Sequence, residues 1–459
     1  GLLYLCRTVD GRPMVGSIAA DATMTGRLTL SYRTPVADHD HLLAAAGRRV
    51  TGHEFHRTVV EPPYGPTPAW LVDGEPVGFG SASLHASYLH LHWAGHPHLA
   101  QRFADAVHAY AERSPEPDLR HHGDADLGEG LVDLAVNVRL PAPPEWLAAV
   151  INEVTPNLGA YPRTDEAVAA IADAHEVPPE WVLPTAGAAE AFTLLARAVS
   201  PHRPVVVYPQ FTEPEAALIA AGHSPERVIL PSGNGFRLDP GLIPADSDLV
   251  LIGNPTNPTS VLHQAATLRM LFRPGRTLVV DEAFMDAVPG EPDTLIGAEM
   301  TGLVVVRSLT KTWGLAGLRA GYAVGDPSVI ARMAAQQPPW SVSAPALAAI
   351  AAGLSHKARE IAAAAAEEIS EHRAVLIDGL AALGLPVAGA PRAPFVLVDT
   401  RTTQSDRPPG WVRRALRDRG FAVRRGETFP GLGPDWIRIA VRDPATSDRF
   451  LAALGRVIG

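Results

Sequence analysis

Five short apolar runs, separated by longer stretches of helical character, restrict most strongly how this chain can fold. They are Trp181-Val-Leu183, Pro204-Val-Val-Val-Tyr208, Asp248-Leu-Val-Leu-Ile252, Thr277-Leu-Val-Val280 and Leu303-Val-Val-Val306. Strand-like runs that alternate with helical segments predict a doubly wound, mainly parallel sheet of the α/β class. Ligands bind such sheets at the carboxyl ends of the strands. We therefore expect the functional residues in the loops that follow these runs.

The loop after the last run carries a lysine in an unusual setting. Lys311 is one of two lysines in the chain, and the other, Lys357, lies in an alanine-rich stretch typical of a helix surface. Hydroxyl groups precede Lys311 at Ser308 and Thr310, and a guanidinium follows at Arg319. A phosphate group fits between Ser308 and Arg319. These neighbours favour a Schiff-base lysine, and the alternative is an ordinary surface lysine.

Two other loops carry groups that suit the same kind of site. Asp281 directly follows the fourth run, where a carboxylate either binds a ligand or caps a helix. The helix that follows Thr185 opens with Gly187, Ala188 and Ala189, whose backbone N–H groups can bind a phosphate at the helix N-terminus. Together with the lysine, these residues predict a phosphate-bearing cofactor at one edge of the sheet.

The segment from Ser308 to Tyr322 resembles the lysine segment of fold type I aminotransferases, which bind pyridoxal 5'-phosphate. The resemblance runs from about residue 131 to the C-terminus. It is greatest to the branch that holds histidinol-phosphate aminotransferase and threonine-phosphate decarboxylase. It implies a large doubly wound domain with a small α+β domain, a homodimer, a covalent role for Lys311, and Asp281 as the partner of the pyridinium nitrogen.

The same resemblance implies roles for further residues around the cofactor. Asn254-Pro-Thr-Asn-Pro-Thr-Ser260 is similar to the family's Asn-Pro-x-Asn-Pro-Thr-Gly loop, which implies that Asn257 binds the phenolic oxygen of the cofactor. Phe211 matches the aromatic residue that stacks on the pyridine ring, and the alternative is core packing. Tyr161 matches the tyrosine that reaches the cofactor phosphate of the neighbouring subunit, although Tyr-Pro pairs are also common in turns.

Candidate substrate-binding residues come from the same resemblance. Arg438 matches the arginine that binds the substrate carboxylate, and its planar fork suits bidentate pairing. Arg424 and Arg442 are candidates for a second anion, or for helix capping and surface pairing. Asn137 lies where the family's N-terminal arm faces the substrate. Arg139 and the leucine after it stand where an Asn-Pro pair usually follows.

The first 112 residues differ in character, with strand-like runs and many histidines. Gly52-His-Glu-Phe-His-Arg57 and His85-Ala-Ser-Tyr-Leu-His-Leu-His-Trp93 resemble the end of the glutamine amidotransferase domain of cobyrinate (or hydrogenobyrinate) a,c-diamide synthase. The resemblance implies that His90 is the base that serves a cysteine nucleophile. That cysteine is expected before residue 1, since Cys6 does not match it. We therefore expect a partial class I amidotransferase-like α/β unit without glutaminase activity.

Domain boundaries follow from length and composition. The 459 residues are too many for one ordinary domain. We expect an amidotransferase-like domain over residues 1–112, a polar linker over 113–130 and an aminotransferase-like domain over 131–459. Within the last, the large part is expected at about 165–350 and the small part at 131–160 and 355–459.

Charge and cysteine content exclude several classes of function. With 49 acidic and 39 basic residues, the chain has no basic stripe for nucleic acid. No apolar run is long enough to span a membrane. The N-terminal histidines lack carboxylates at helical spacing, so we expect no metal site. One cysteine excludes an intrachain disulfide and fits a cytoplasmic protein.

The two resemblances together predict the activity. The N-terminal segment resembles an enzyme of cobalamin assembly. The run Asp281-Glu-Ala-Phe284 ends in Phe, as is typical of threonine-phosphate decarboxylases, where histidinol-phosphate aminotransferases typically carry Tyr. We expect a decarboxylase of L-threonine O-3-phosphate, or more generally an enzyme of a small phosphorylated amino acid or amino alcohol. A histidinol-phosphate type aminotransferase and an inactive binding or scaffold protein are the alternatives.

Overall fold

The computed structural model describes residues 1–112, 117–401 and 407–459. The chain divides into two compact units, with the boundary between residues 116 and 117. In the part of the chain that is described, no helix is both long and apolar enough to cross a membrane.

The first unit is built mainly from short strands and two helices. Its strands are β1 (Thr8–Val9), β2 (Arg12–Pro13), β3 (Asp21–Arg33), β4 (Gly52–Glu61), β5 (Trp70–Val72), β6 (Glu75–Val77), β7 (Phe79–Gly80), β8 (His85–Ala86) and β9 (Leu89–Leu91), and its helices are α1 (Leu2–Leu5) and α2 (Pro97–Glu112). A five-stranded sheet has the order β2-β1-β3-β4-β9. Among the described strands, β9, which carries His90, is therefore an edge strand that pairs with β4.

The second unit contains the remaining elements. Its helices are α3 (Glu145–Val154), α4 (Asp165–His175), α5 (Ala188–Ala198), α6 (Glu213–Ala220), α7 (Ala265–Arg269), α8 (Pro327–Gln336), α9 (Ala344–Gly353), α10 (His356–Ala382), α11 (Trp411–Arg417) and α12 (Pro444–Ile458). Its strands are β10 (Val132–Leu134), β11 (Val182–Thr185), β12 (Pro204–Tyr208), β13 (Glu226–Ile229), β14 (Leu249–Gly253), β15 (Thr277–Asp281), β16 (Leu303–Ser308), β17 (Gly321–Gly325), β18 (Phe395–Asp399), β19 (Phe421–Arg425) and β20 (Trp436–Ala440).

The five predicted runs all form strands of one sheet. Its order is β11-β17-β16-β15-β14-β12-β13, and its strands are parallel except for β17, which runs antiparallel to both neighbours. Alternate residues of β12 face opposite sides of the sheet, as the period of two requires. Val205 belongs to a core with Ile171 of α4, whereas Val206 belongs to a second core with Phe192 of α5. Helices therefore cover both faces, and the predicted doubly wound α/β architecture is confirmed.

A smaller sheet forms the second layer of this unit. It has the order β10-β19-β20-β18, with β10 parallel to β19 and the other neighbours antiparallel. Its apolar face packs on α10, α11 and α12, for example through Leu380, Leu416 and Phe450. The strand β10 comes from the N-terminal end of the unit, so the small α+β part joins chain segments from both ends, as expected.

Residues 117–126, which we name the strap, belong to the second unit. The Thr212 hydroxyl of the large part donates to the carbonyl of Leu119 at 2.7 Å. Arg417 of the small part donates to the carbonyl of Asp126 at 2.6 Å. Of the predicted linker over 113–130, residues 113–116 lie outside the described residues, and residues 117–130 are part of this unit. Their polar side chains suggested a solvated linker, but several of them form ion pairs with the folded unit.

Candidate active site

A cavity of about 510 Å³ lies where the strand ends of the large sheet meet the small sheet and the strap. Most of the residues predicted for the site line it, namely Asn137, Ala188, Ala189, Phe211, Asn257, Asp281, Ser308, Lys311, Arg319, Arg424 and Arg438. These side chains come from segments that are spread over most of the second unit's sequence. The fold therefore brings together groups that the sequence identified only as separate motifs.

Lys311 follows β16 and is surrounded by cationic groups. Burial, followed by the charges of Arg438 and Arg319, lowers the pKa of its amine to about 8, although the carboxylate of Asp124 opposes them. About one tenth of the amine is therefore uncharged at pH 7, compared with about one part in three thousand at an ordinary lysine pKa. An uncharged amine is what attack on an aldehyde requires.

Asp281 ends β15, the strand that pairs with β16 in the large sheet. Burial, together with the charge of the neighbouring Glu282, raises the pKa of its carboxyl group to about 6. The N–H of Ala283 donates to Oδ1 at 3.0 Å and opposes this rise. A buried carboxylate in these surroundings is suited to pairing with a protonated ring nitrogen.

The turn before α5 and Arg319 fit together closely. Gly187 has φ +80°, and a Cβ at this position would lie 2.7 Å from Nη2 of Arg319. Only glycine therefore allows the guanidinium to approach this turn. The N–H of Gly187 donates to the carbonyl of Thr185 at 2.7 Å, so it is not directed at a ligand. The prediction of a phosphate-binding N–H group at Gly187 is thus wrong. Ala188 and Ala189 line the cavity at the N-terminus of α5, and their phosphate-binding role stays a prediction.

Arg438 is buried on β20 beside the loop that carries Asn257. Its Nη1 donates to Oδ1 of Asn257 at 2.6 Å, and its Nη2 donates to the carbonyl of Ala135. The guanidinium carbon lies 5.2 Å from the ring centroid of Phe395. Burial, followed by the charge of Arg424, moves its pKa well below the ordinary value. This concentrated positive charge favours binding of an anion in the cavity.

Arg424 is fixed by the strap. It pairs with Oδ2 of Asp126 at 3.2 Å and donates to the carbonyl of His121 at 2.7 Å. Asp126 also pairs with Arg425 through Oδ1 at 2.7 Å. Although burial alone would raise it, the pKa of Asp126 stays below its ordinary value because of the charges of Arg425 and Arg424. One buried carboxylate therefore holds two arginines of β19, of which Arg424 lines the cavity.

Three ionisable residues that the sequence did not single out also line the cavity, and they are His122, Asp124 and Glu213. Nε2 of His122 lies 2.8 Å from Oε1 of Glu213, and its ring centroid lies 5.7 Å from that of Phe211. Although burial opposes it, hydrogen bonding from His122 and the charge of Arg120 lower the pKa of Glu213. For His122 and Asp124, the signal in the sequence is the concentration of ionisable groups within residues 121–126.

Asn137 lies at the boundary of the cavity and is only 6% exposed. Among the described residues its Oδ1 has no hydrogen-bond partner. A buried acceptor without a partner is unfavourable unless a ligand or water supplies the donor. The position therefore agrees with a ligand-binding role.

Arg442 and Tyr161 are also predicted for the site but lie elsewhere. Arg442 does not line the cavity, and it donates to the carbonyls of Asp133 at 3.2 Å and Val136 at 2.7 Å. It thereby holds the segment over residues 133–136, which precedes Asn137. Tyr161 is 72% exposed and also lies outside the cavity of its own chain.

His90 lies in the first unit and is exposed. Its ring stacks on His53, with centroids 5.0 Å apart and an interplanar angle of 28°. Cys6 of the same unit is buried, and burial raises the pKa of its thiol. Across the described chain, no three histidine, cysteine or acidic side chains are grouped so that they could hold a metal ion.

The doubly wound sheet, the small α+β part and the lysine and aspartate at adjacent strand ends define a fold type I pyridoxal-phosphate enzyme. The chain belongs to the aminotransferase class I and II family, whose sequence model matches residues 126–454. A histidinol-phosphate aminotransferase of Mycobacterium tuberculosis is 46% identical over 353 residues, which are 76% of this chain and 94% of the relative. A threonine-phosphate decarboxylase of Salmonella typhimurium is 30% identical over 339 residues, which are 72% of this chain and 91% of the relative.

One solved structure shares the fold of the second unit, and the N-terminal region has a different relative. The structure of a histidinol-phosphate aminotransferase from Clostridium acetobutylicum matches with a TM-score of 0.64 at 24% identity, covering 71% of this chain and 99% of that one. The N-terminal region is similar to hydrogenobyrinate a,c-diamide synthase of Thermobifida fusca, at 55% identity over 115 residues. These residues are 23% of this chain and 24% of the relative, so this part spans about a quarter of that protein.

Proposed function

We propose that this chain is a decarboxylase of L-threonine O-3-phosphate that acts in cobalamin biosynthesis. The observation that carries this choice is the N-terminal region, which is 55% identical to a hydrogenobyrinate a,c-diamide synthase. Regions similar to two enzymes within one chain favour activities that belong to the same biosynthetic sequence. The relative named threonine-phosphate decarboxylase supplies the matching activity.

The cavity residues fit pyridoxal phosphate. Lys311 would bond to the aldehyde carbon, Asp281 would hold the ring nitrogen protonated, and Asn257 would donate to the phenolic oxygen. Ala188, Ala189, Ser308 and Arg319 would hold the phosphate, and Phe211 would stack on the ring. When bound, the cofactor supplies an electron sink for negative charge that develops on the substrate. The close fit of Gly187 against Arg319 is the structural feature that this phosphate site would require.

The remaining charges suit a substrate with two anionic groups. Arg438 would bind the carboxylate, and Arg424 with His122 would bind the phosphate. A pyridoxal-phosphate enzyme breaks the Cα bond that stands perpendicular to the ring plane. The outcome therefore depends on where the two arginines hold the carboxylate relative to the ring. If the arginines hold the bond between Cα and the carboxylate perpendicular to the ring plane, loss of carbon dioxide is favoured.

Phe284 is consistent with this assignment. It lines the cavity and packs against Phe395, with ring centroids 5.0 Å apart in an edge-to-face arrangement. A tyrosine here could hydrogen-bond an oxygen of the cofactor, whereas phenylalanine cannot. This difference changes the electronic environment of the cofactor but does not by itself select the bond that breaks.

Transamination of histidinol phosphate is the second candidate. It is favoured by the 46% identity to a relative of that name, which is higher than the identity to the decarboxylase. Both reactions use a phosphorylated amino substrate and the same cofactor. They differ in whether the carboxylate leaves or an amino group moves to a keto acid.

The proposal also includes a homodimer in which Tyr161 of one protomer donates its hydroxyl to the cofactor phosphate of the other. The exposed position of Tyr161, outside the cavity of its own chain, supports this arrangement. It accounts for a cofactor-binding tyrosine that is absent from its own site.

A direct comparison of two reactions tests the activity. Purified holoenzyme should release carbon dioxide from threonine phosphate, and Lys311→Ala should release none. If histidinol phosphate with 2-oxoglutarate gives glutamate while threonine phosphate gives no carbon dioxide, the aminotransferase assignment is correct. If neither product forms although pyridoxal phosphate is bound, the chain is a binding or scaffold protein.

A further inference from the structure

An exposed pair of aromatic rings stands apart from the cavity. Tyr161 and Trp340 are 72% and 58% exposed. Their ring centroids lie 4.1 Å apart with an interplanar angle of 20°, which is a stacked arrangement. Tyr161 precedes α4, and Trp340 lies between α8 and α9. The two rings come from distant segments, so their contact is a product of the fold.

Trp340 holds this position at the expense of backbone strain. Its φ is +58°, in the left-handed region that bulky residues rarely adopt. Such strain persists where the surroundings require one conformation, and it is found most often at functional sites. A glycine would relieve the strain but would remove the ring. The chain keeps a large aromatic side chain at a position where its only ring partner among the described residues is Tyr161.

Neither ring lines the cavity around Lys311. An exposed tyrosine on an open surface is free to change rotamer, and fixing it on binding reduces affinity. Stacking on a strained tryptophan fixes the ring before any ligand arrives. The pair is therefore suited to presenting the phenol to something outside its own chain.

We propose that Trp340 is a positioning residue, which holds Tyr161 in the orientation that reaches the pyridoxal-phosphate site of a second copy of this chain. The inference rests on the proposed function, because it assumes the homodimer and the role of Tyr161 in it. It adds a residue that touches neither cofactor nor substrate. Its effect passes through the tyrosine and appears in the partner's site.

A first experiment measures the dissociation constant of pyridoxal phosphate with apoenzyme variants. Trp340→Ala should raise it about threefold to tenfold, the range expected for losing one pre-ordered side chain. Trp340→Phe keeps a stacking ring and should stay close to the wild type. Tyr161→Phe combined with Trp340→Ala should bind no more weakly than Tyr161→Phe alone, because the tryptophan acts through the hydroxyl. Additive effects, or an unchanged constant for Trp340→Ala, would overturn the inference.

A second experiment uses hybrid dimers of differently tagged subunits. When one subunit carries Lys311→Ala and the other Trp340→Ala, the single lysine-bearing site faces an intact aromatic pair. Occupancy of Lys311, measured by borohydride trapping and peptide mass spectrometry, should then follow the wild-type binding curve. When both changes are on one subunit and the other is wild type, the lysine-bearing site faces the altered pair and should bind about threefold to tenfold more weakly.

The hybrids also distinguish failure of this inference from failure of the proposed function. The reverse result, with weak binding only in the first hybrid, would mean that Trp340 acts within its own chain and would overturn the inference alone. A wild-type protein that traps no pyridoxal phosphate on Lys311 would overturn both the inference and the proposed function. A protein that binds the cofactor at Lys311 as a monomer would overturn the inference and leave the lysine assignment intact.

Discussion

Lys311 in the second unit and His90 in the first are both reactive side chains in recognisable sequence contexts, but their surroundings differ. Lys311 lies in a cavity of about 510 Å³, and burial and two arginines lower its pKa to about 8. His90 lies exposed on an edge strand, with another histidine ring stacked on it. The difference shows that a motif identifies a reactive group, whereas burial and neighbouring charges give the group its chemistry.

The same contrast appears in how much of each relative the chain covers. The second unit's relatives are covered over 94% and 91% of their length, whereas the diamide synthase is covered over 24%. A nearly whole domain can supply both the reactive group and its environment. Substitutions at three residues and one pH profile test whether this environment is what separates the two regions.

The largest expected effect is that of Lys311→Ala. It should reduce turnover at least about a thousandfold, because the covalent residue has no substitute. Borohydride should no longer trap pyridoxal phosphate on the chain. Lys357→Ala, which removes the exposed lysine at the start of α10, is the matched control and should keep both properties. An adduct that survives in Lys311→Ala would contradict the assignment.

Asp126→Asn should destabilise the second unit. The substitution leaves Arg424 and Arg425 without their shared carboxylate, and breaking a buried ion pair costs about 3 kcal/mol. Urea unfolding measures the loss, and KM for the phosphorylated substrate should rise as Arg424 loses its position. Asp165→Asn breaks the exposed pair with Arg163 and should leave the unfolding midpoint unchanged. Equal effects of the two substitutions would show that the strap is not a structural part of the site.

The pH dependence of cofactor attachment tests the environment of the lysine directly. Because the pKa of Lys311 is lowered to about 8, its uncharged fraction falls about tenfold for each pH unit below 8. The rate constant for attachment of pyridoxal phosphate to the apoenzyme should therefore rise steeply from about pH 6 to about pH 8 and level off above it. Stopped-flow absorbance measures this rate. A rate that still rises between about pH 9 and about pH 10 would indicate an ordinary lysine pKa.

The smallest expected effect is at His90. This chain should release no glutamate from glutamine, and His90→Ala should change nothing in either cofactor binding or turnover. Glutamate release is measured with a coupled dehydrogenase assay, with a complete diamide synthase as positive control. If glutamate is released and the release disappears in His90→Ala, an exposed histidine is sufficient for this activity. The surroundings of Lys311 and His90 would then not explain a difference in reactivity.

The residues proposed to bind the cofactor can be predicted from the sequence because each of them lies in a short segment with a recognisable pattern. Asp281 and Lys311 each follow an apolar run, and the ends of adjacent parallel strands meet at one edge of the sheet. The order of elements along the chain therefore implies that the two side chains lie close together. Asn257 lies in the loop after β14, and the resemblance of that loop to the family's Asn-Pro-x-Asn-Pro-Thr-Gly motif identifies it.

The strap cannot be predicted in this way. Its position depends on ion pairs between Asp126 and Arg424, which are 298 residues apart, and no local pattern encodes such a distance. Polar residues next to Gly and Pro are typical of solvated segments, so the sequence places His122 and Asp124 in a linker. By its position in the sequence, Arg442 is a candidate for binding an anion. In the structure, however, its guanidinium donates hydrogen bonds to backbone carbonyls.

The strap also determines where the second unit can be cut from the chain. A polypeptide that begins at residue 131, just before the first strand of the small sheet, would lack Asp126 and His122. It would leave both Arg424, which lines the cavity, and Arg425 without the carboxylate that pairs with them. A polypeptide that begins at residue 117 retains every ion pair described above for the second unit. When the catalytic part is expressed alone, a polypeptide that includes residues 117–130 should therefore have a complete site. A polypeptide without them should have an open, destabilised site.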